Sequence, residues 1–294
     1  MPDATPLPSF SPRPTDAHKA SVGRVLVVGG SVGMSGAPTL CARAALRAGA
    51  GLVTIAVPER IRDVVASMLP EAMTIALPCE ADDRLAASAA DIVLAHLDRV
   101  NALVVGPGLG RAPGTDAAVL RIVGEARKPL VLDADGLYVY RGNIAALAKR
   151  SAPTILTPHE GEASSLLGAR GEAALDREAR AALIAREGNA VCVLKGPGTV
   201  VADARRTRVN STGGPILSTG GTGDVLAGVI GAFLAGLPAT GADAFGAASL
   251  AVHVHGAAGD RLAATRGDRG TLASEIADAI PEVIRHLVRE GLAR

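Results

Sequence analysis

Residues 24–57 read RVLVVGGSVGMSGAPTLCARAALRAGAGLVTIAV, and the fold turns on how this stretch divides. Two apolar, β-branched runs, RVLVV (24–28) and LVTIAV (52–57), flank a glycine-rich segment, GGSVGMSG (29–36), and an Ala/Leu/Arg-rich helix expected over 37–48. Neither run alternates apolar with polar residues, so each must be covered on both faces, as strands are inside a parallel sheet. The alternation continues through MTIAL (73–77), ALVV (102–105), LVL (130–132), TIL (154–156), VCVLK (191–195) and TVVAD (199–203). Helices are expected over 59–68, 114–126, 160–167, 173–187, 224–236, 242–264 and 272–291. The fold class is therefore α/β, a three-layer α/β/α sandwich around a mainly parallel central sheet. No repeat, low-complexity block or linker interrupts it. The first 20 residues carry five prolines and are expected to form an extended arm or loose tail, leaving 21–294 as one catalytic domain.

The bulk numbers exclude several functions. The 294 residues are 48% hydrophobic, ample for a core. The formal net charge of +1 leaves no electrostatic footprint for nucleic acid or an anionic membrane, and 2% aromatic residues without Trp supply no stacking platform. Cys41, Cys79 and Cys192 are odd in number and far apart, with no metal-ligand spacing. They read as buried free thiols of a reducing compartment, so the protein is expected to be cytoplasmic. The Ala/Gly-rich run at 242–259, with Asp243, His253 and His255, reads as a core helix rather than a membrane span, and both histidines as packing residues.

Polar or glycine-rich clusters follow five of the strands: 29–36, GPGLGR (106–111), DADG (133–136), TPHEGE (157–162) and GPG (196–198). In open parallel sheets the ligand crevice lies outside the carboxyl ends of the strands. The 29–36 segment has the wrong spacing for GxGxxG, and no acidic residue ends the next strand, which disfavours a nicotinamide-dependent dehydrogenase. GPGLGR lacks the GK[ST] of a P-loop and is equally a turn or a binding loop. Asp133 and Asp135 read as a hydrogen-bonded turn in preference to positioning Mg²⁺ through water. His159, on the rim, is a candidate ligand contact. Lys195, one of only four lysines, ends an apolar strand before GPGT, where an ammonium suits a phosphate.

The segment LSTGGTGDVLAGVIGAFLAGL (217–237) adds the chemistry. Gly220, Gly221 and Gly223 free the backbone ahead of an uncharged helix whose first amides and dipole make an anion site. Asp224 is either the helix N-cap or a base that takes a proton from an attacking hydroxyl.

STGGTGDVLAG resembles the anion-hole and base motif of ribokinase-like kinases. More narrowly, GGSVGMSGAPTLCARAALRAGAGLVTIAVPE, VVGPGLGR, VLDADGL, LTPHEGE and VLKGPGT, in that order, resemble ADP-dependent (S)-NAD(P)H-hydrate dehydratases. The likeness runs from about residue 20 to the C-terminus and leaves no room in the first 20 residues for the epimerase domain some relatives carry. It implies repair of hydrated NADH and NADPH at the expense of ADP, with Mg²⁺, in a homo-oligomer, a tetramer in the family. By that likeness Ala37, Gly108, His159 and Asp224 contact the hydrate. Lys195, Gly196, Pro197, Gly198, Thr199 and Gly223 hold the AMP portion. Asp224 is the base, and the amides of Gly221, Thr222 and Gly223 take the developing phosphate charge. Met34 stands where the family commonly has Tyr, and Ser218 where it usually has Ala. The competing expectations are a ribokinase-like kinase of a vitamin precursor or sugar, and a nucleotide sensor without turnover.

Overall fold

All eight expected strands form, and a ninth joins them, in a computed structural model that describes residues 7–8, 12–169, 175–236 and 243–292. The strands are β1 (Arg24–Val28), β2 (Leu52–Pro58), β3 (Met73–Leu77), β4 (Ala102–Val105), β5 (Leu130–Leu132), β6 (Thr154–Leu156), β7 (Val191–Leu194), β8 (Val200–Ala202) and β9 (Thr207–Val209). They make one sheet in the order β3-β2-β1-β4-β5-β6-β7-β8-β9. Pairings from β3 through β7 are parallel, and β8 and β9 append an antiparallel edge. The ninth strand, TRV, is short, polar and largely exposed, so it lacks the apolar run that marks the others.

The helices are α1 (Gly36–Arg47), α2 (Arg62–Met68), α3 (Ala89–Ala95), α4 (Pro113–Glu125), α5 (Asp135–Tyr138), α6 (Glu160–Leu167), α7 (Arg177–Gly188), α8 (Thr222–Ala235), α9 (Ala244–Arg266) and α10 (Ala273–Leu292). The helix expected over 59–68 begins as a 3₁₀ turn, Glu59–Ile61, and α3 and α5 were not expected. The expected starts at 173 and 242 lie outside the described residues, as do 1–6 and 9–11 of the arm. Of the rest of the arm, the Arg13 guanidinium bonds the Gly49 carbonyl.

Each strand sends alternate side chains to opposite faces, and both faces are covered. Val25, Val27, Val53, Ile55, Val104 and Val131 pack with α1, α8, α9 and α10. Leu26, Val28, Leu103, Val105, Leu130 and Leu132 pack with α3, α4, α6 and α7. The result is the expected three-layer α/β/α sandwich. The apolar helix α8 lies under the sheet's centre: a side chain on Gly228 would start 2.0 Å from the Cys41 carbonyl oxygen of α1, and one on Gly231 2.5 Å from Val104 Cγ2. Burial on every side explains why α8 carries no charge beyond its first turn.

From β1 the chain runs outward through β2 and β3, then returns to place β4 on the other side of β1. Such a reversal opens a crevice at the carboxyl ends of the two strands. The five polar clusters follow β1, β4, β5, β6 and β7, which are consecutive neighbours, so they line a single edge.

Candidate active site

The first two loops lock together. Gly30 N–H donates to the Pro107 carbonyl at 2.8 Å, and Ser31 Oγ donates to the Gly108 carbonyl at 2.9 Å. A side chain on Gly108 would start 3.0 Å from Ala37 Cβ, so these two predicted substrate contacts lie together at the start of α1. The third loop joins through Gly110 N–H, which donates to Asp135 Oδ2 at 2.9 Å.

A charged centre sits on the next three strands. Asp133, 1% exposed at the end of β5, accepts from Lys195 Nζ at 2.8 Å and from Thr157 Oγ1 at 2.6 Å. Glu162 Oε2 lies 3.8 Å from the same ammonium. Burial works against charge on Lys195, but Asp133, Glu162 and Asp224 outweigh it and hold its pKa above the ordinary lysine value. The predicted cation is therefore present, anchored by a buried carboxylate instead of standing free. The hydrogen-bonded turn expected at the two aspartates forms, with Gly136 N–H donating to the Asp133 carbonyl at 2.9 Å, but the Asp133 side chain is also drawn into the charged centre. Between them Ala134 takes φ +47°, a region costly for a residue with a side chain, with Asp133 buried before it and Asp135 opening α5 after it. The pairing of Asp133 with Lys195 was not expected. The available signal was a carboxylate ending one apolar strand and a lysine ending another.

At the start of α8 the N-cap is Gly221, at φ +92°, with no side-chain cap. The capping reading of Asp224 is thus corrected: it lies in the first turn, beyond the cap, and no hydrogen bond reaches its carboxylate among the described residues. Burial first, and the negative charge of Asp133 second, raise its pKa to about 7 against the opposing pull of Lys195. The amides of Gly221 and Gly223 meet no acceptor among the described residues, whereas Thr222 N–H leans on the Thr219 carbonyl at 3.3 Å. The Thr222 hydroxyl donates to the carbonyls of Leu217 and Thr219. The predicted anion hole is open at its two glycines and shared at its threonine.

Next to it opens a cavity of about 410 Å³, lined by Lys195, Gly196, Pro197, Gly198, Thr199 and Gly223, the whole predicted nucleotide set, together with Leu226 and Val252. His255, read as a packing residue, is buried as expected and also lines this cavity. Burial pushes its imidazole down to about 4, so it is neutral at pH 7. Lys195 joins the two halves of the site, since a side chain on Gly223 would start 3.5 Å from its Nζ.

His159 is the N-cap of α6. Its Nδ1 accepts from Glu162 N–H at 3.2 Å, and Glu162 Oε2 accepts from His159 N–H at 2.8 Å, a reciprocal capping box. The rest of the ring is open, with the side chain 61% exposed. Among the described residues no three carboxylates, histidines or cysteines converge as a metal cage. The ammonium of Lys195 holds the ground between Asp133 and Glu162. Cys41 and Cys192 are buried as expected, but Cys79 is only half-buried, on a bridge to Leu85.

A larger cavity, about 560 Å³, opens at the amino ends of β6 and β7 and contains none of these residues. Ion pairs of Arg206 with Asp203 and Asp243 line it. No described helix is long and apolar enough to cross a membrane.

The sheet order, the glycine-started α8 and the carboxylate in its first turn define a ribokinase-like α/β protein. A ribokinase-like superfamily protein of Enterococcus faecalis superposes with a TM-score of 0.78 at 25% identity, over 96% of this chain and 93% of that one. The chain belongs to the Carb_kinase family of NAD(P)H-hydrate dehydratases, whose pattern matches residues 25–282. It is 45% identical over 282 residues to the bifunctional NAD(P)H-hydrate repair enzyme Nnr of Salinibacter ruber, covering 95% of this chain and 51% of that protein. An ADP/ATP-dependent NAD(P)H-hydrate dehydratase of Bacillus subtilis, co-crystallised with ATP and Mg²⁺, superposes with a TM-score of 0.78 at 29% identity, over 95% of each chain. The chain spans about half the length of the curated relatives it matches.

Proposed function

We propose that this protein dehydrates the S-epimer of hydrated NADH and NADPH, using ADP and releasing AMP and phosphate. The observation that carries the reading is Asp224: an unpaired carboxylate with its pKa near 7, beside open backbone amides and a nucleotide-sized cavity. Hydroxide is a poor leaving group, so the hydrate's hydroxyl must first become a phosphate ester. Asp224 takes the hydroxyl proton as that oxygen attacks the terminal phosphorus of ADP and AMP departs. The amides of Gly221 and Gly223 and the ammonium of Lys195 hold the charge on the transferring group. Phosphate then leaves as the ring nitrogen's lone pair pushes out the C–O bond, and loss of a ring-carbon proton restores the reduced nicotinamide. Magnesium, carried by the nucleotide's phosphates, would add charge neutralisation there, as it usually binds with several waters and few protein ligands. Ala37, Gly108 and His159 are the proposed hydrate contacts, and Lys195–Thr199 with Gly223 the nucleotide contacts. All lie on one sheet edge, in keeping with one catalytic domain over 21–294. The three free cysteines suit a cytoplasmic setting.

Incubation with hydrated NADH, ADP and Mg²⁺ is expected to regenerate reduced-nicotinamide absorbance with AMP and phosphate in equal amounts. Accumulation of a stable phosphorylated small molecule without regained absorbance would point to a kinase instead.

Lys195→Ala is expected to weaken ADP binding, measured by calorimetry, by about 1.5–3 kcal/mol. It also strands the buried Asp133 carboxylate, so the melting temperature should fall, and adding Asp133→Asn should recover part of that loss. Unchanged ADP affinity removes Lys195 from the nucleotide site.

A further inference from the structure

Between β3 and α3 the chain doubles back as a small hairpin. Cys79 bridges Leu85, Glu80 N–H donates to the Arg84 carbonyl at 2.7 Å, and Ala86 N–H to the Pro78 carbonyl at 3.0 Å. An ion pair from Arg60 to Asp83 at 2.8 Å pins one side. On the other, the hairpin packs so close to the start of α4 that a side chain on Gly114 would begin 2.8 Å from the Leu85 carbonyl oxygen. This fixes Arg84 over the 106–111 loop. Its Nη1 lies 2.5 Å from where a side chain on Gly110 would begin, and Ser31 Oγ and Met34 Cε lie 3.4 and 3.6 Å from the same point. The guanidinium thus lies against the bare main chain of Gly110, two residues along the loop from Gly108.

Its neighbours' charges are engaged elsewhere. Asp82 accepts from Arg84's own backbone N–H at 3.1 Å, Asp83 holds Arg60, and no carboxylate pairs with the Arg84 guanidinium among the described residues. Arg111, on the same loop, is paired with Asp135 at 3.0 Å and stacked on Tyr138. A hydrated dinucleotide carries a pyrophosphate with permanent negative charge. None of the groups proposed for the hydrate, Ala37, Gly108, His159 and Asp224, brings a fixed positive charge, and Lys195 is held by Asp133 on the nucleotide side.

We propose that Arg84 binds the phosphate-bearing backbone of the dinucleotide substrate, across the bare main chain of Gly108 to Gly110. This rests on the dehydratase reading and adds to it the cation on the hydrate side of the site. An arginine fork suits a phosphate, and a lysine there would act only as a point charge.

The test compares wild type, Arg84→Ala and Arg84→Lys in steady-state kinetics with hydrated NADH and ADP, and in fluorescence titrations with NADPH. Arg84→Ala is expected to raise the hydrate KM and the NADPH Kd on the order of tenfold. Its kcat, ADP KM and melting temperature should stay close to wild type, and Arg84→Lys should recover part of the loss. An unchanged hydrate KM, or a fall in kcat alone, overturns the proposal. Should wild type regenerate no absorbance, the dehydratase reading fails separately. The NADPH titration then decides on Arg84, with weaker binding by the alanine variant supporting the proposal and equal Kd values overturning it.

Discussion

Asp224→Asn is expected to lower turnover on the order of 10²–10⁴-fold while making the protein more stable above pH 7. Asparagine keeps the shape of the side chain and the open amides of Gly221 and Gly223, so ADP should still bind; only the proton acceptor is lost. The stability gain follows from the raised pKa. Above pH 7 the carboxylate is ionised in both folded and unfolded chains, and the folded chain bears the cost of burying that charge beside Asp133. As pH falls through about 7 the folded form takes up a proton first, so the penalty shrinks, and it is gone near the ordinary carboxylate range. A rise from 3.8 to about 7 sets a ceiling of about 4 kcal/mol, reduced to roughly 2–3 by the remaining solvent contact. Melting temperatures of wild type and Asp224→Asn should therefore differ by on the order of 5 °C at pH 8.5 and converge near pH 4. Wild-type kcat/KM should fall as pH drops below about 7, where the base becomes protonated. Near-normal turnover in the asparagine variant would remove Asp224 as the base, whatever its melting behaviour.

The sheet was legible because its strands announce themselves: a run such as LVL or VCVL, apolar at every position, has no solvated conformation, and burial on two faces leaves it one place. That logic fails for TRV at 207–209, an edge strand whose side chains meet water. Within the site, the loops could be located because each glycine cluster ends a strand, and the chain's direction then puts all five on one edge. Lateral pairing could not be read. Asp133 and Lys195 are 62 positions apart, and nothing in the sequence says that β5, β6 and β7 are consecutive neighbours. Without that adjacency a buried aspartate looks like a turn residue and a lysine like a free cation. Asp224 posed the opposite difficulty. Its helix was evident, but whether it caps or follows the cap depends on one φ angle, that of Gly221. Arg84 was invisible for a third reason: it belongs to a hairpin with no apolar pattern, and only the packing of that hairpin on Gly110 and Gly114 brings it to the rim.

Gly106→Ala is expected to be among the most damaging single-methyl additions to this protein. Gly106 follows β4 with φ +129°, a conformation that an L-residue with a side chain avoids. Even with the backbone held there, a new Cβ would begin 1.7 Å from the Asp133 carbonyl oxygen and 2.8 Å from Gly136 N. Both obstacles are main-chain atoms, so no rotamer change relieves the overlap, and β4 must separate from the 133–136 turn. Overpacking and strain of this kind cost about 3 kcal/mol or more, which for a chain of this size lowers the melting temperature on the order of 6–12 °C. The displaced turn is also the one that aims Asp133 at Lys195, so the variant that still folds should lose ADP affinity as well as stability. Gly124→Ala is the matched control. That glycine lies exposed on α4 with nothing within 4 Å of the added carbon, and alanine there should stabilise the helix by up to ~1 kcal/mol. Thermal melts and ADP calorimetry on the two variants separate the cases: equal, small effects at both positions would mean that the close approach of the 106–111 and 133–136 loops is not what holds the charged centre in place.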